Sequence, residues 1–277
     1  DHALASACID AFQVLLKAAC DDGKNGLEER GITVEDLLNK KPPHPPNPSN
    51  PLLDLNLTRS NLTPLLTLIL HNTRLHPSLK LRKSCASLTT SLLLKSRLTL
   101  KPLTEALFDT LVILTSDDMD EVKDLAKKGV EEIKGSVKDS TWRSLRATQI
   151  VNRLLALLPM TPSLLPHPPS ISAHVRLLTG YFNLCDNLLF FTLSSNIDIL
   201  IDALCMMFQP ETSAPIATGG KGTVAFKNSS GFYLPRFRYL SNDNLIDSCN
   251  DLVHVIAARL AEDGAIDGVI EGLLKRL

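Results

Sequence analysis

The sequence predicts an all-α fold, specifically a HEAT- or armadillo-like α-solenoid of antiparallel helix pairs. Leucine dominates the apolar residues and aromatic residues make up only 5 % of the chain, a bias that favours helices because leucine keeps most of its rotamer freedom there. Apolar residues recur three and four positions apart over long stretches, which is the period of an amphipathic helix. A pattern of paired helices then repeats after 41 residues, within the period of about 40–47 that is typical of HEAT and armadillo repeats.

The repeat is clearest in four helices, which are predicted near 62–75, 79–95, 102–116 and 120–134. Leucines of the first helix recur in the third after 41 residues: Leu62, Leu66 and Leu70 become Leu103, Leu107 and Leu111. The turn inside each pair matches as well, because Pro77 precedes Leu81-Arg82 as Asp118 precedes Val122-Lys123. Two helices alone cannot cover their apolar faces, so each pair is expected to stack on the next.

Residues 1–40 are predicted to form an N-terminal helical segment. Its main helix spans 2–20, where the apolar residues at helical spacing include Leu4, Cys8, Ala11, Leu15 and Ala18. Residues 41–58 follow as a Pro-rich loop, because proline lacks an amide hydrogen and clashes with the preceding turn of a helix. Closely spaced prolines favour an extended chain instead.

HEAT-like helical repeats are predicted over 59–208, a flexible linker over 209–235 and a C-terminal helical pair over 236–277. The linker is expected because this stretch combines prolines and glycines with no apolar period. Prolines between residues 159 and 169 are expected to break the chain. The further helices are expected near 141–158, 171–193, 196–208, 242–261 and 265–277.

Charge and cysteine content argue against several classes of protein. The formal net charge is −1, so the concentrated positive field that nucleic-acid binding needs is not expected. The six cysteines form no CxxC pair and are expected to be small buried residues in a reducing compartment. No apolar run approaches the roughly 20 residues of a membrane span, so no membrane association is expected. The chain begins with Asp1 rather than Met, which indicates a fragment.

The sequence predicts no catalytic, cofactor or metal site, and therefore no enzyme activity. Residues 217–223 invite a phosphate-loop interpretation, but Gly222 follows Lys221 where that motif needs Ser or Thr, and no strand precedes it. A cluster of carboxylates lacks the glycine and the terminal glutamate of a calcium loop. Its position at a helix start is explained by the favourable field of the helix amides. The cluster is Asp117, Asp118, Asp120 and Glu121.

The segment 236–239 is the best candidate for binding a partner. Arg236 and Arg238 alternate with Phe237 and Tyr239, and arginine and tyrosine are frequent hot-spot residues at interfaces. The alternative is that the two aromatic rings pack under the final helices while the arginines face solvent. The final helical pair also carries more apolar residues than a capping repeat with a polar outer face needs. Val269 therefore joins the segment in the predicted interface, which a partner subunit or a second copy would cover.

Residues 234–240, LPRFRYL, followed by Ile246, Cys249 and Leu252 and by residues 262–269, EDGAIDGV, resemble the C-terminal region of the Tel-two-interacting protein One family. Residues 76–82, HPSLKLR, and 120–123, DEVK, are similar to the HEAT repeats of the same family. The resemblance covers about residues 60–277.

The resemblance implies a non-enzymatic cochaperone scaffold, a subunit of the Triple T complex. Its protein partners would be Tel-two and Tel-two-interacting protein Two, the heat-shock-protein-90 machinery and the large phosphatidylinositol-3-kinase-related kinases that the complex helps to mature. It implies a cytoplasmic location, with the nucleus left open as a second one.

Two other classes remain open from the sequence. Another HEAT-repeat scaffold, such as a transport receptor or a phosphatase regulatory subunit, would show longer uniform repeats without the two Pro-rich breaks. An all-α enzyme would need a deep pocket that holds coupled carboxylates or a bound metal.

Overall fold

The computed structural model describes residues 2–23, 55–136, 150–185, 194–209, 238 and 243–262, together with 267, 270 and 271. All regular structure in these residues is helical, with no strand among them, which confirms the all-α prediction. The chain divides into two compact units, residues 1–143 and 144–277. The predicted Pro-rich loop before Leu55 and residues 210–235 of the predicted linker lie outside the described residues.

The first unit contains five α-helices within its described residues. They are α1 (His2–Ala19), α2 (Leu55–Thr73), α3 (Leu79–Lys95), α4 (Thr104–Thr115) and α5 (Asp120–Ser136), with a 3-10 turn at Lys101–Leu103 before α4. The bounds of α3 agree with those predicted, and α4 and α5 lie close to theirs. Helix α2 begins earlier than predicted, inside the range assigned to the loop 41–58, and it continues through Pro64 in its interior.

Helices α1 and α3 lie side by side and run in the same direction. Near their first turns Ser6 Oγ and Ser84 Oγ are 2.8 Å apart. Further along, Gln13 Nε2 donates to Ser87 Oγ at 3.3 Å. Beyond both helix ends, the Asp22 carboxylate accepts the backbone N–H groups of Leu98 and Thr99 at 2.7 and 2.8 Å. Residue numbers rise together on both sides of these contacts, so the two helices are parallel.

Helices α3 and α5 are parallel by the same argument. Lys83 Nζ lies 2.7 Å from Glu121 Oε2 near the start of both helices, and Thr90 contacts Gly129 later in both. Helices α1, α3 and α5 therefore form one parallel layer. Helix α4 packs against both α3 and α5, whereas α2 touches α3, α4 and the 3-10 turn less extensively.

Helix α1 carries apolar residues on two faces, and only one of them is covered by described residues. Ile9 and Leu16 are buried, as is Cys20 just after the helix. Leu4 and Leu15, which mark the apolar spacing noted in the sequence, are 65 % and 66 % exposed. Periodicity alone predicts the helix but does not decide which of two apolar stripes meets the neighbour.

The second unit is helical in all its described elements. Residues 150–157 are helical and continue into a 3-10 turn, Leu158–Met160. Then follow α6 (Thr161–Leu164), α7 (Pro168–Leu184), α8 (Ser194–Met207) and α9 (Asp243–Glu262). Helix α9 packs along α7, and α6 contacts α7 and α8.

The prolines between 159 and 169 begin helices as well as ending them. Proline occupies one of the first two positions of the 3-10 turn, of α6 and of α7. Its missing amide hydrogen costs nothing in the first turn, where that hydrogen has no partner in the helix, and its fixed φ suits a helix start. The expected break in the chain is thus a series of short helical turns.

Candidate protein-binding groove

Of the five residues predicted to bind a partner, only Arg238 lies in the described part of the chain. Its side chain is exposed, and its backbone N–H donates to the Gln209 carbonyl at 2.9 Å. This bond ties the segment before α9 to the end of α8. Arg236, Phe237, Tyr239 and Val269 lie outside the described residues, so the binding role of this segment stays a prediction.

Much of the apolar surface of helix α9 is buried within the second unit. Leu252, Ile256 and Leu260 are buried, on the helix that packs along α7. Val253 is 36 % exposed, and Ile270 is 48 % exposed. In the described residues, most of the apolar surface of α9 therefore stabilises the second unit itself.

The parallel layer of the first unit contains a groove that was not predicted from the sequence. The groove has a volume of about 250 Å³ and is lined by residues of α1, α3 and α5; we call it the layer groove. Helix α3 forms its floor with Ser87, Thr90 and Ser91, while α1 and α5 form its two sides.

Three lysines give the layer groove a positive charge. Lys17 on α1, Lys95 on α3 and Lys128 on α5 line it, and all three side chains are exposed. None of them forms an ion pair with another described residue, in contrast to Lys83, which pairs with a glutamate of α5. Glu132 is the one acidic residue among the described residues that line the groove. The balance is thus positive at neutral pH.

Helix ends explain two of these lysines but not the third. Lys17 and Lys95 lie in the last turns of α1 and α3, where the unpaired carbonyls of a helix favour a positive side chain. Lys128 lies in the interior of α5, so the helix dipole gives no reason for a cation there. Asp124 and Glu132 lie four residues before and after Lys128 on the same helix face, and Glu132 lines the groove as well.

The floor of the groove is polar and closely packed. Gly129 contacts Thr90 so closely that a β-carbon at position 129 would overlap Thr90 Oγ1. The Ser91 hydroxyl oxygen is buried and has no hydrogen-bond partner among the described residues. Buried polar atoms usually have a partner, so this hydroxyl is an exception in the packing of α3.

The 41-residue repeat contains the signal that could have located this groove. Adding 41 to Ser87 gives Lys128, and adding 41 to Ser91 gives Glu132, and all four residues line the groove. Equivalent positions of successive repeats share a face, so Lys128 could have been placed beside α3. Lys17 could not, because α1 belongs to no repeat that is visible in the sequence.

The acidic cluster around the start of α5 forms ion pairs and helix-end contacts within the first unit. Asp117 is only 2 % exposed; its Oδ2 lies 3.0 Å from Arg82 Nε, and its Oδ1 accepts the Met119 N–H at 2.9 Å. Burial raises the pKa of the Asp117 carboxyl, an effect that the Arg82 guanidinium opposes. Arg82 Nη1 also donates to the His76 carbonyl at 2.8 Å. The guanidinium thereby joins the turn after α2 to the turn after α4.

Neither a metal centre nor a membrane span is found in the described ranges. These ranges contain no cluster of three or more His, Cys, Asp or Glu side chains suited to a metal ion. None of the helices described there combines the length and the apolar character needed to cross a bilayer.

Comparison with family models, curated proteins and solved structures gives no match to this chain. The described residues define an all-α protein in two units, with a groove on the first that three lysines line.

Proposed function

We propose that the chain is a non-enzymatic helical-repeat scaffold that binds other proteins, with its helix pairs stacked as in HEAT repeats. The observation that carries the proposal is the parallel layer of α1, α3 and α5. A solenoid repeats one unit by a small displacement and rotation, so equivalent helices of successive units run parallel and side by side. Arg82 supports the same arrangement, because its guanidinium joins the turns of two successive pairs.

Burial supports the repeat as well. Five positions of α3 are buried together with the positions of α5 that lie 41 residues later, which is expected if the two helices play the same part in successive units. The matched buried pairs are Leu81 and Val122, Cys85 and Ala126, Leu88 and Gly129, Thr89 and Val130, and Leu92 and Ile133. Leu66 and Leu70 of α2 match Leu107 and Leu111 of α4 in the same way.

The resemblance to the Tel-two-interacting protein One family makes this proposal more specific. On that resemblance the chain is a cochaperone subunit of the Triple T complex, acting in the maturation of phosphatidylinositol-3-kinase-related kinases. Tel-two, Tel-two-interacting protein Two and the heat-shock-protein-90 machinery are then its partners, in the cytoplasm and also the nucleus. The long surface of a helical stack suits such a role, because recognition spreads over many turns and helix faces.

Affinity purification of the intact protein from cells, followed by mass spectrometry, tests this function. We expect Tel-two and Tel-two-interacting protein Two among the most enriched proteins, with the large kinases at lower yield. Enrichment of transport cargo or of phosphatase subunits would instead favour another HEAT-repeat scaffold. Recovery of no protein above a bait-free control would contradict a scaffold of any kind.

A further inference from the structure

We infer that the layer groove binds a short, acidic segment of a partner protein. This inference rests on the proposed scaffold function and adds the place and the chemistry of one contact. The lysines Lys17, Lys95 and Lys128 lie on three different helices and line one groove, none forms an ion pair with a described residue, and they outnumber the one described acidic residue there, Glu132. A negatively charged ligand is the complement of that arrangement.

The groove has a volume of about 250 Å³ and is bounded by three helices. It therefore suits a short stretch of a partner chain, whose carboxylates would meet Lys17, Lys95 and Lys128.

The lining favours an acidic protein over a nucleic acid. Among the described residues that line the groove there is no aromatic side chain on which a base could stack and no arginine to bind a phosphate with two parallel hydrogen bonds. Glu132 on the α5 side would repel a continuous phosphate backbone. A peptide can avoid that carboxylate by placing an uncharged residue beside it.

Fluorescence anisotropy with the full chain tests the inference. The probe is a fluorescein-labelled eight-residue peptide of alternating glutamate and serine, beside a lysine–serine peptide and an eight-nucleotide thymidine oligonucleotide. We expect the chain to prefer the acidic peptide and its affinity to fall as salt is raised, since screening weakens exposed charge pairs. The triple variant K17E, K95E, K128E should lose at least about tenfold in affinity, because three attractions become repulsions.

A matched control separates the groove from net charge. Lys80, Lys101 and Lys127 are exposed lysines of the same unit that do not line the groove. The variant K80E, K101E, K127E carries the same change in net charge, and its affinity should stay within about twofold of the parent chain. An equal loss in both triple variants, or tighter binding of the oligonucleotide than of the acidic peptide, overturns the inference.

A second measurement uses the unmodified chain and so does not depend on the folding of any variant. A photo-crosslinking version of the acidic peptide should attach within residues 13–17, 87–95 and 125–132. Attachment elsewhere, or no saturable binding at millimolar peptide, also overturns the inference. The scaffold function would still stand in that case if Tel-two and its partners were recovered with the intact protein.

Discussion

Replacing Gly129 by alanine should destabilise the first unit, because α3 and α5 pack closely at this glycine. The new β-carbon would overlap Thr90 Oγ1 and lie 3.1 Å from Thr90 Cγ2 and 3.2 Å from Thr90 Cβ. Rotation of the threonine side chain moves the first two atoms but leaves its β-carbon in place. Overpacking of this kind costs about 1–3 kcal/mol, whereas alanine gains about 0.5–1 kcal/mol over glycine in a helix. We expect a net loss of about 1 kcal/mol.

Gly135 on the same helix is the matched control. A β-carbon there meets no atom within 4 Å, so Gly135→Ala should retain only the helix gain and stabilise the unit by up to about 0.5 kcal/mol near the end of α5. The Thr90→Ala change removes two of the three atoms that a β-carbon at Gly129 would meet. The double variant with Gly129→Ala should therefore recover most of the loss, which a double-mutant cycle measures as a coupling free energy.

Urea unfolding followed by circular dichroism measures these differences. Because the chain has two units, each transition is fitted separately before the free energies of unfolding are compared. A Gly129→Ala variant as stable as Gly135→Ala, with no coupling to Thr90, would show that α3 and α5 do not pack this closely. The parallel layer and its groove would then be in doubt.

Three further predictions concern buried polar groups. Arg82→Met should lower the free energy of unfolding by about 3 kcal/mol, because it leaves the Asp117 charge buried without its partner, and this loss should shrink at acid pH, where that carboxyl takes up a proton. Lys83→Met breaks an exposed pair and should cost less than about 1 kcal/mol. Equal losses in the two variants, measured by urea unfolding, would refute the argument. Asp22→Ala should cost about 1–3 kcal/mol, because it leaves two backbone amides without their acceptor; a melting temperature unchanged by calorimetry would contradict this. Burial lowers the pKa of His174 from 6.5 to about 4, so as pH falls the unfolded chain takes up the proton before the folded chain does. The free energy of unfolding of the second unit should therefore fall by about 3 kcal/mol between pH 7 and pH 4. Urea titrations of His174→Gln should show most of that dependence removed, and an unchanged pH profile would exclude this residue as its cause.

The helices could be predicted from the sequence where period and turn residues agree. The bounds of α3 follow from the leucine period together with Pro77 before the helix, since a proline and a change of period mark the same boundary. The start of α2 was harder to predict, because the mostly polar residues from Asn56 to Asn61 obscure the helical period of apolar residues, although they do not prevent a helix. Local pattern thus predicts the interior of a helix better than its ends.

The groove depends on contacts that local pattern does not contain. Lys17 and Lys128 approach the same groove only because α1 packs parallel to α3 and α3 parallel to α5. The side of α1 that meets α3 is set by packing, not by period, since both of its faces carry apolar residues. The partner-binding segment at 236–239 could be predicted because its arginines and aromatic residues are adjacent in the sequence. The three lysines of the groove are far apart in the sequence and give no such local signal.

Direct binding of purified components tests the central claim, that this chain is a scaffold for Tel-two and Tel-two-interacting protein Two. The chain is mixed with purified Tel-two and Tel-two-interacting protein Two at about 10 µM, a concentration that detects interactions of micromolar affinity, and examined by sedimentation velocity. We expect a faster-sedimenting species that contains the chain together with both proteins. Independent sedimentation of all three components would contradict it.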